Sequence, residues 1–119
     1  MEVQPGIFRS STSTDEWEHD PEVGGEMHVL CTTDGIEVGL SRYHPDVIGQ
    51  PVVYTPPGRE TILILEGSVT VEIEGGATLD LSAGDMASVP AGTRTVWRIT
   101  SAPFKGFWVI SSPERDDAA

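Results

Sequence analysis

The stretch Gly58-Arg59-Glu60-Thr61-Ile62-Leu63-Ile64-Leu65-Glu66-Gly67 decides the fold, together with Ala83-Gly84-Asp85-Met86-Ala87-Ser88-Val89-Pro90-Ala91-Gly92. Each contains a short apolar run and ends in glycine. Side chains alternate along an extended chain, so Glu60, Ile62 and Ile64 share one face. The next segment, Val69-Thr70-Val71-Glu72-Ile73-Glu74, alternates strictly and predicts a strand with one buried and one wet face. Gly75-Gly76 suits a tight hairpin turn, because both residues tolerate positive φ. Pro90-Ala91-Gly92 predicts a turn with proline at its second position and glycine at its fourth.

The same texture runs from residue 27 to 111. Strands are expected at 27–31, 36–43, 61–65, 69–73, 78–81, 86–89, 95–100 and 104–110, all rich in Val, Ile, Thr and aromatics. Asp34-Gly35 reads as a hairpin between Leu30 and Ile36. No window of ten or more residues carries a helical period. Eight short strands among 13 glycines and 9 prolines predict an all-β sandwich or barrel. The barrel is assigned to residues 27–112, between an acidic N-terminal arm (1–26) and a polar tail (113–119). Residues 10–26 hold six acids and no bases, yet include Trp17, which is costly to leave in water. The arm is therefore expected to be extended and pinned to the body by Trp17 and Phe8.

Composition narrows the function. The chain has 119 residues, enough for one domain, and a net charge of −12. That charge repels phosphate backbones and argues against nucleic-acid binding. No apolar run approaches the roughly 20 residues of a membrane helix, and no signal peptide is visible. A cytoplasmic protein is the expectation. Cys31, the single cysteine, has no internal disulfide partner and is expected to be an inert buried thiol.

The two opening stretches resemble the two sequence motifs of the cupin superfamily. Glu60 and Gly67 fit the end of the first motif; Gly84, Pro90 and Gly92 fit the second. Leu40 to Pro45, Trp97 and Phe104-Lys105 are similar to the branch of ureidoglycine aminohydrolase and ethanolamine-utilization cupins. The resemblance covers about residues 36–110. It implies a double-stranded β-helix of jelly-roll type with a pocket in the barrel mouth, and a homodimer. The uninterrupted apolar run Phe107 to Ile110 also favours a dimer, since both faces of that strand need cover.

The resemblance further implies where a metal would sit, and three of the four ligands are replaced. Glu60 is present. The two histidine positions before it hold Tyr54 and Pro56, and the second-motif histidine is Thr95. Proline has no donor, threonine is a poor one, and neutral imidazole is what Mn, Fe, Ni or Zn would want. No cofactor is expected. If a divalent metal binds, Glu60 and His44 are the candidate ligands, with Tyr54 beside them. His19 and His28 read as surface or interface residues.

Glu60 is the most informative residue. A carboxylate projecting into an apolar barrel should have a raised pKa, which suits a general acid or base. The opposing reading is that Glu60 bonds Tyr54, or pairs with Arg59 or Arg94, and merely orders the mouth. The ligand pocket is placed around Tyr54, Glu60, Thr95, Trp97 and His44, with Trp97 as a flat wall. Two functions follow. One is binding of a small molecule in the barrel mouth without a standard metal site. The other is an isomerase, lyase or hydrolase that uses Glu60 with Tyr54, or a non-standard divalent metal site. A third, weaker expectation is a regulatory partner that docks through the acidic arm.

Overall fold

The structure is a computed structural model that describes residues 1–111. The expected tail at 113–119 lies outside the described residues. Ten strands follow one another: β1 (Glu2–Gln4), β2 (Ile7–Phe8), β3 (Glu18–His19), β4 (Glu26–Thr33), β5 (Ile36–Tyr43), β6 (Val52–Tyr54), β7 (Glu60–Ile73), β8 (Thr78–Ser82), β9 (Met86–Val89) and β10 (Thr95–Ser111). Among the described residues the one helical element is a 3₁₀ turn at Pro45–Val47. β1 and β2 form a separate two-stranded ribbon, and the other strands pair antiparallel in one connected system.

Two strands expected as pairs are continuous. Segments 61–65 and 69–73 merge into β7, and 95–100 and 104–110 merge into β10. At about 3.3 Å per residue, the 17 residues of β10 would reach roughly 56 Å if straight, beyond the longest molecular dimension of 41 Å. β10 therefore bends, and its register against β7 slips between Ile99 and Gly106. β7 turns with it at Gly67, where φ is +77° and a Cβ would sit 2.6 Å from the carbonyl oxygens of Ser101 and Pro103. Only glycine meets both demands. The first half of β7 pairs with β9 and the end of β10; the second half pairs with β8 and the start of β10. β6 and β5 flank β10 on its two arms, and β4 and β3 extend the β5 side. Two facing layers thus share their two longest strands, the jelly-roll arrangement of a double-stranded β-helix.

Between the layers lies the core: Ile62, Ile64, Val69, Val71, Leu81, Ile99, Phe104 and Trp108. The expected hairpins form. Asp34 and Gly35 both take positive φ, as a two-residue turn of the primed kind requires. In the second hairpin only Gly75 does so. The turn after β9 starts at Pro90, with Thr93 N–H donating to the Pro90 carbonyl at 3.4 Å. Gly92 is thus the third residue of that turn, at φ +81°, one place from expectation.

The acidic arm crosses the outer face of β4 and β5. Trp17 lies under the Arg42 guanidinium, 4.2 Å from ring centre to Cζ, and its indole N–H donates to the Thr14 carbonyl at 2.7 Å. Lys105 Nζ donates to the Thr12 carbonyl at 2.7 Å. Ser10 Oγ and His28 Nε2 are hydrogen-bonded at 2.7 Å. His28, expected at the surface or an interface, is buried opposite Leu40 beneath this arm, and His19 is exposed. Cys31 is partly buried. After β3 the chain turns at residues 20–25 and enters β4, with Asp20 N–H donating to the Gly25 carbonyl. That hairpin brings the arm from the outer face round to the barrel mouth.

Candidate functional site

Alternation along the strands determines which residues look inward. On β7 these are Glu60 and Ile62, on β10 Trp97, Ile99, Phe104, Trp108 and Ile110, and on β5 Glu37, Ser41 and Tyr43. The opposite β5 series, Val38, Leu40 and Arg42, faces the arm. Gly39 stands opposite Trp108, and a Cβ there would lie 2.8 Å from the indole ring, so this glycine makes room for the aromatic wall. The inward residues enclose a cavity of about 260 Å³ at the barrel mouth. Val52 and Tyr54 of β6 close one side, and Asp20 to Val23 of the mouth hairpin close another.

Hydrogen bonds lock the walls. Trp108 Nε1–H donates to Ser41 Oγ at 2.8 Å, and the Tyr43 hydroxyl donates to the Val23 carbonyl at 3.3 Å, tying β5 to the mouth hairpin. Thr95, 1% exposed, donates its hydroxyl to the Tyr54 carbonyl at 2.6 Å and accepts from Trp97 Nε1–H at 2.8 Å. One buried hydroxyl thus positions both Tyr54 and Trp97.

Glu60 carries the electrostatic interest. Its Oε1 is fully buried and has no hydrogen-bond partner among the described residues. Burial pushes its pKa up from the ordinary 4.5 to about 7. The Tyr54 hydroxyl opposes that rise, and the negative charges of Glu22 and Glu37 reinforce it. Tyr54 is itself driven above the usual phenol range, by burial first and then by Glu60, so it stays protonated near neutrality. Burial likewise raises Tyr43. Neither arginine weighed as a partner reaches Glu60: Arg59 donates to Ser88 Oγ, and Arg94 pairs with Glu74.

The expected pocket residues divide. Tyr54, Glu60 and Trp97 line the cavity together. Thr95 stands behind them. His44 is elsewhere: its ring is 61% exposed, and Nε2 lies 3.0 Å from Glu26 Oε1, beside Arg42 on the same carboxylate. Pro45 begins the 3₁₀ turn at this point, which ends β5 and directs His44 to the rim. Sequence reasoning missed Glu22, Glu37, Tyr43 and Trp108. For Glu37 and Tyr43 a signal existed in the polar or small series Glu37, Gly39, Ser41, Tyr43, which alternates with Val38 and Leu40.

The four positions at which the resemblance places metal ligands do converge. Tyr54, Pro56, Glu60 and Thr95 surround a gap of about 10 Å³ next to the main cavity. The donor set does not fit a transition metal. Proline offers nothing, the Thr95 hydroxyl is already committed in two hydrogen bonds, and Tyr54 keeps its proton. Among the described residues no three His, Cys, Asp or Glu side chains stand close enough to share an ion. No step of the chemistry is therefore assigned to a metal.

A jelly-roll barrel with an inward glutamate on its first motif strand is what the cupin resemblance implied, and the chain belongs to the cupin superfamily. Within it, the family model for the EutQ-like cupin domain matches residues 48–106. A comparison with curated proteins finds no match. Among solved structures, a protein named for ethanolamine utilization, EutQ of Salmonella typhimurium, superposes with a TM-score of 0.74 at 18% identity, covering 93% of this chain and 90% of that one. An RmlC-like cupin of double-stranded β-helix fold from Methanocaldococcus jannaschii gives 0.68 at 11% identity over the whole of both chains. KdgF from Halomonas sp. gives 0.65 at 20% identity, covering 87% and 93%. At these identities the likeness concerns the fold, and activity must be argued from the site. Among the described residues no helix is long and apolar enough to cross a membrane.

Proposed function

We propose that this protein binds a small molecule in the barrel-mouth cavity and does so without a standard cupin metal. The observation that carries the reading is a concave aromatic pocket lined by a carboxylate, Glu60, whose Oε1 is buried and has no partner among the described residues. An unpaired polar atom in an apolar wall costs about 1–3 kcal/mol, a cost that a ligand hydrogen bond would remove. The volume of about 260 Å³ lies just under the usual about 300–1,000 Å³ of drug-sized sites, so the ligand is a compact metabolite. A thermal-shift screen of small metabolites against the wild type and Glu60→Gln tests it. Ligands that stabilise the wild type and lose most of that effect in the variant are expected. Silence across the screen, or equal shifts in both proteins, overturns the reading. Elemental analysis of protein purified without chelator should find Mn, Fe, Ni and Zn all well below one equivalent.

A second reading is favoured by the Glu60 pKa of about 7. A carboxyl poised there can take a proton from a bound substrate and return it near neutral pH. Tyr54, protonated and adjacent, would donate a hydrogen bond to the oxygen on which charge develops. This is the equipment of an isomerase, a lyase or a hydrolase for a small substrate. Its mark would be a rate profile with an inflection near pH 7 that disappears in Glu60→Gln.

A further inference from the structure

The charged residues that line the cavity are all of one sign. Three carboxylates enter it from three different elements: Glu22 from the mouth hairpin, Glu37 from β5 and Glu60 from β7. A fourth, Asp20, is already used locally, since its Oδ1 accepts the N–H groups of Glu22 and Val23. Among the described residues no lysine or arginine lines the cavity. The basic side chains that form ion pairs do so outside, as Arg42–Glu26, Arg94–Glu74, Arg98–Glu72 and Lys105–Glu66. None of these pairs involves Glu22, Glu37 or Glu60. The inward carboxylates thus face one another across an apolar space, uncompensated, and the Oε1 of one of them is fully buried without a partner.

Such a field selects for positive charge. It does not suit a bare metal ion, because the described carboxylates are too far apart for three of them to reach one centre. A larger cation that spreads its charge and carries apolar surface meets separated carboxylates well. It also meets aromatic faces, here Trp97, Trp108 and Tyr54, which attract cations electrostatically. We propose that the cavity takes an organic amine in its ammonium form, held between Glu60, Glu37 and Glu22 with its apolar body against Trp97 and Trp108. The proposal rests on the cavity being a binding site and adds the class of ligand.

The test uses the full chain at pH 8 and three probes alike in ring and chain: 2-phenylethylamine, 2-phenylethanol and phenylacetate. Binding is read by calorimetry and by thermal shift. The amine should bind about tenfold or more tightly than the alcohol, and the carboxylate most weakly. Glu37→Gln and Glu60→Gln should each erode the amine's advantage over the alcohol. Glu22→Gln, at an exposed turn where folding is not at stake, should do the same to a smaller degree. If the alcohol or the carboxylate binds as well as the amine, the charge preference is refuted and the binding cavity stands. If all three fail to bind at millimolar concentration, the cavity reading falls with it.

Discussion

Replacing Glu60 by glutamine should change how stability depends on pH. The carboxyl titrates near its ordinary 4.5 in the unfolded chain and at about 7 in the fold, where burial penalises the charge. Between these values the folded chain holds a proton that the unfolded chain has released, so raising the pH favours unfolding. At about 1.4 kcal/mol per pKa unit the shift amounts to about 3 kcal/mol. This contribution is fully present below the unfolded value, is lost as pH rises toward 7, and does not change further above it. Glutamine keeps the shape and abolishes the titration. The stability of Glu60→Gln relative to wild type should therefore grow by about 3 kcal/mol between pH 4.5 and 7.5, or about 10 °C in relative Tm for a domain of this size. The assay is urea unfolding of both proteins across that range. Every other acid cancels in the difference, so only the slope matters. A difference that stays constant with pH would mean that Glu60 is not desolvated as described, and would refute the argument.

Other outcomes follow from the same geometry. Tyr54→Phe removes the hydroxyl that opposes the Glu60 shift, so the Glu60 titration, followed by carboxyl ¹³C NMR, should move to still higher pH. Thr95→Val leaves the Trp97 indole N–H and the Tyr54 carbonyl without their buried partner, and should cost about 1–3 kcal/mol in urea unfolding, with a change in tryptophan fluorescence. Gly67→Ala introduces a Cβ both at φ +77° and 2.6 Å from two carbonyl oxygens, and should cost about 2 kcal/mol or more by thermal unfolding.

The barrel was legible because its signals are local. Alternation in residues 69–74, turn dipeptides such as Asp34-Gly35, and the two glycine-closed motif stretches each act within a few residues. That Tyr54, Glu60 and Trp97 line one cavity was legible for the same reason, since their positions follow from the motif strands. β6 escaped notice because its three residues sit among Pro51, Pro56 and Pro57, which mask a strand pattern. The continuity of β7 and β10 was hidden by Gly67 and Pro103, which read as breaks and act as bends. The role of Thr95 depends on a hydrogen bond to a carbonyl 41 residues away, which no local pattern announces. His44 was misplaced at the mouth because its strand was right and its exit was not: the turn at Pro45 sends it to Glu26. Glu22 reaches the cavity only because the arm wraps round an edge, a path that composition cannot disclose.

That wrapping has a practical side. The chain before β4 is fastened at Ser10, Thr12 and Trp17 on the outer surface and ends as a wall of the cavity at Asp20 to Val23. The cavity is therefore assembled partly from the chain that precedes β4. A protease cut within residues 10–17, or removal of the chain before residue 20, would alter the cavity from a distance. Any screen for what occupies that cavity should keep the chain before β4 intact, or it will be screening a different vessel.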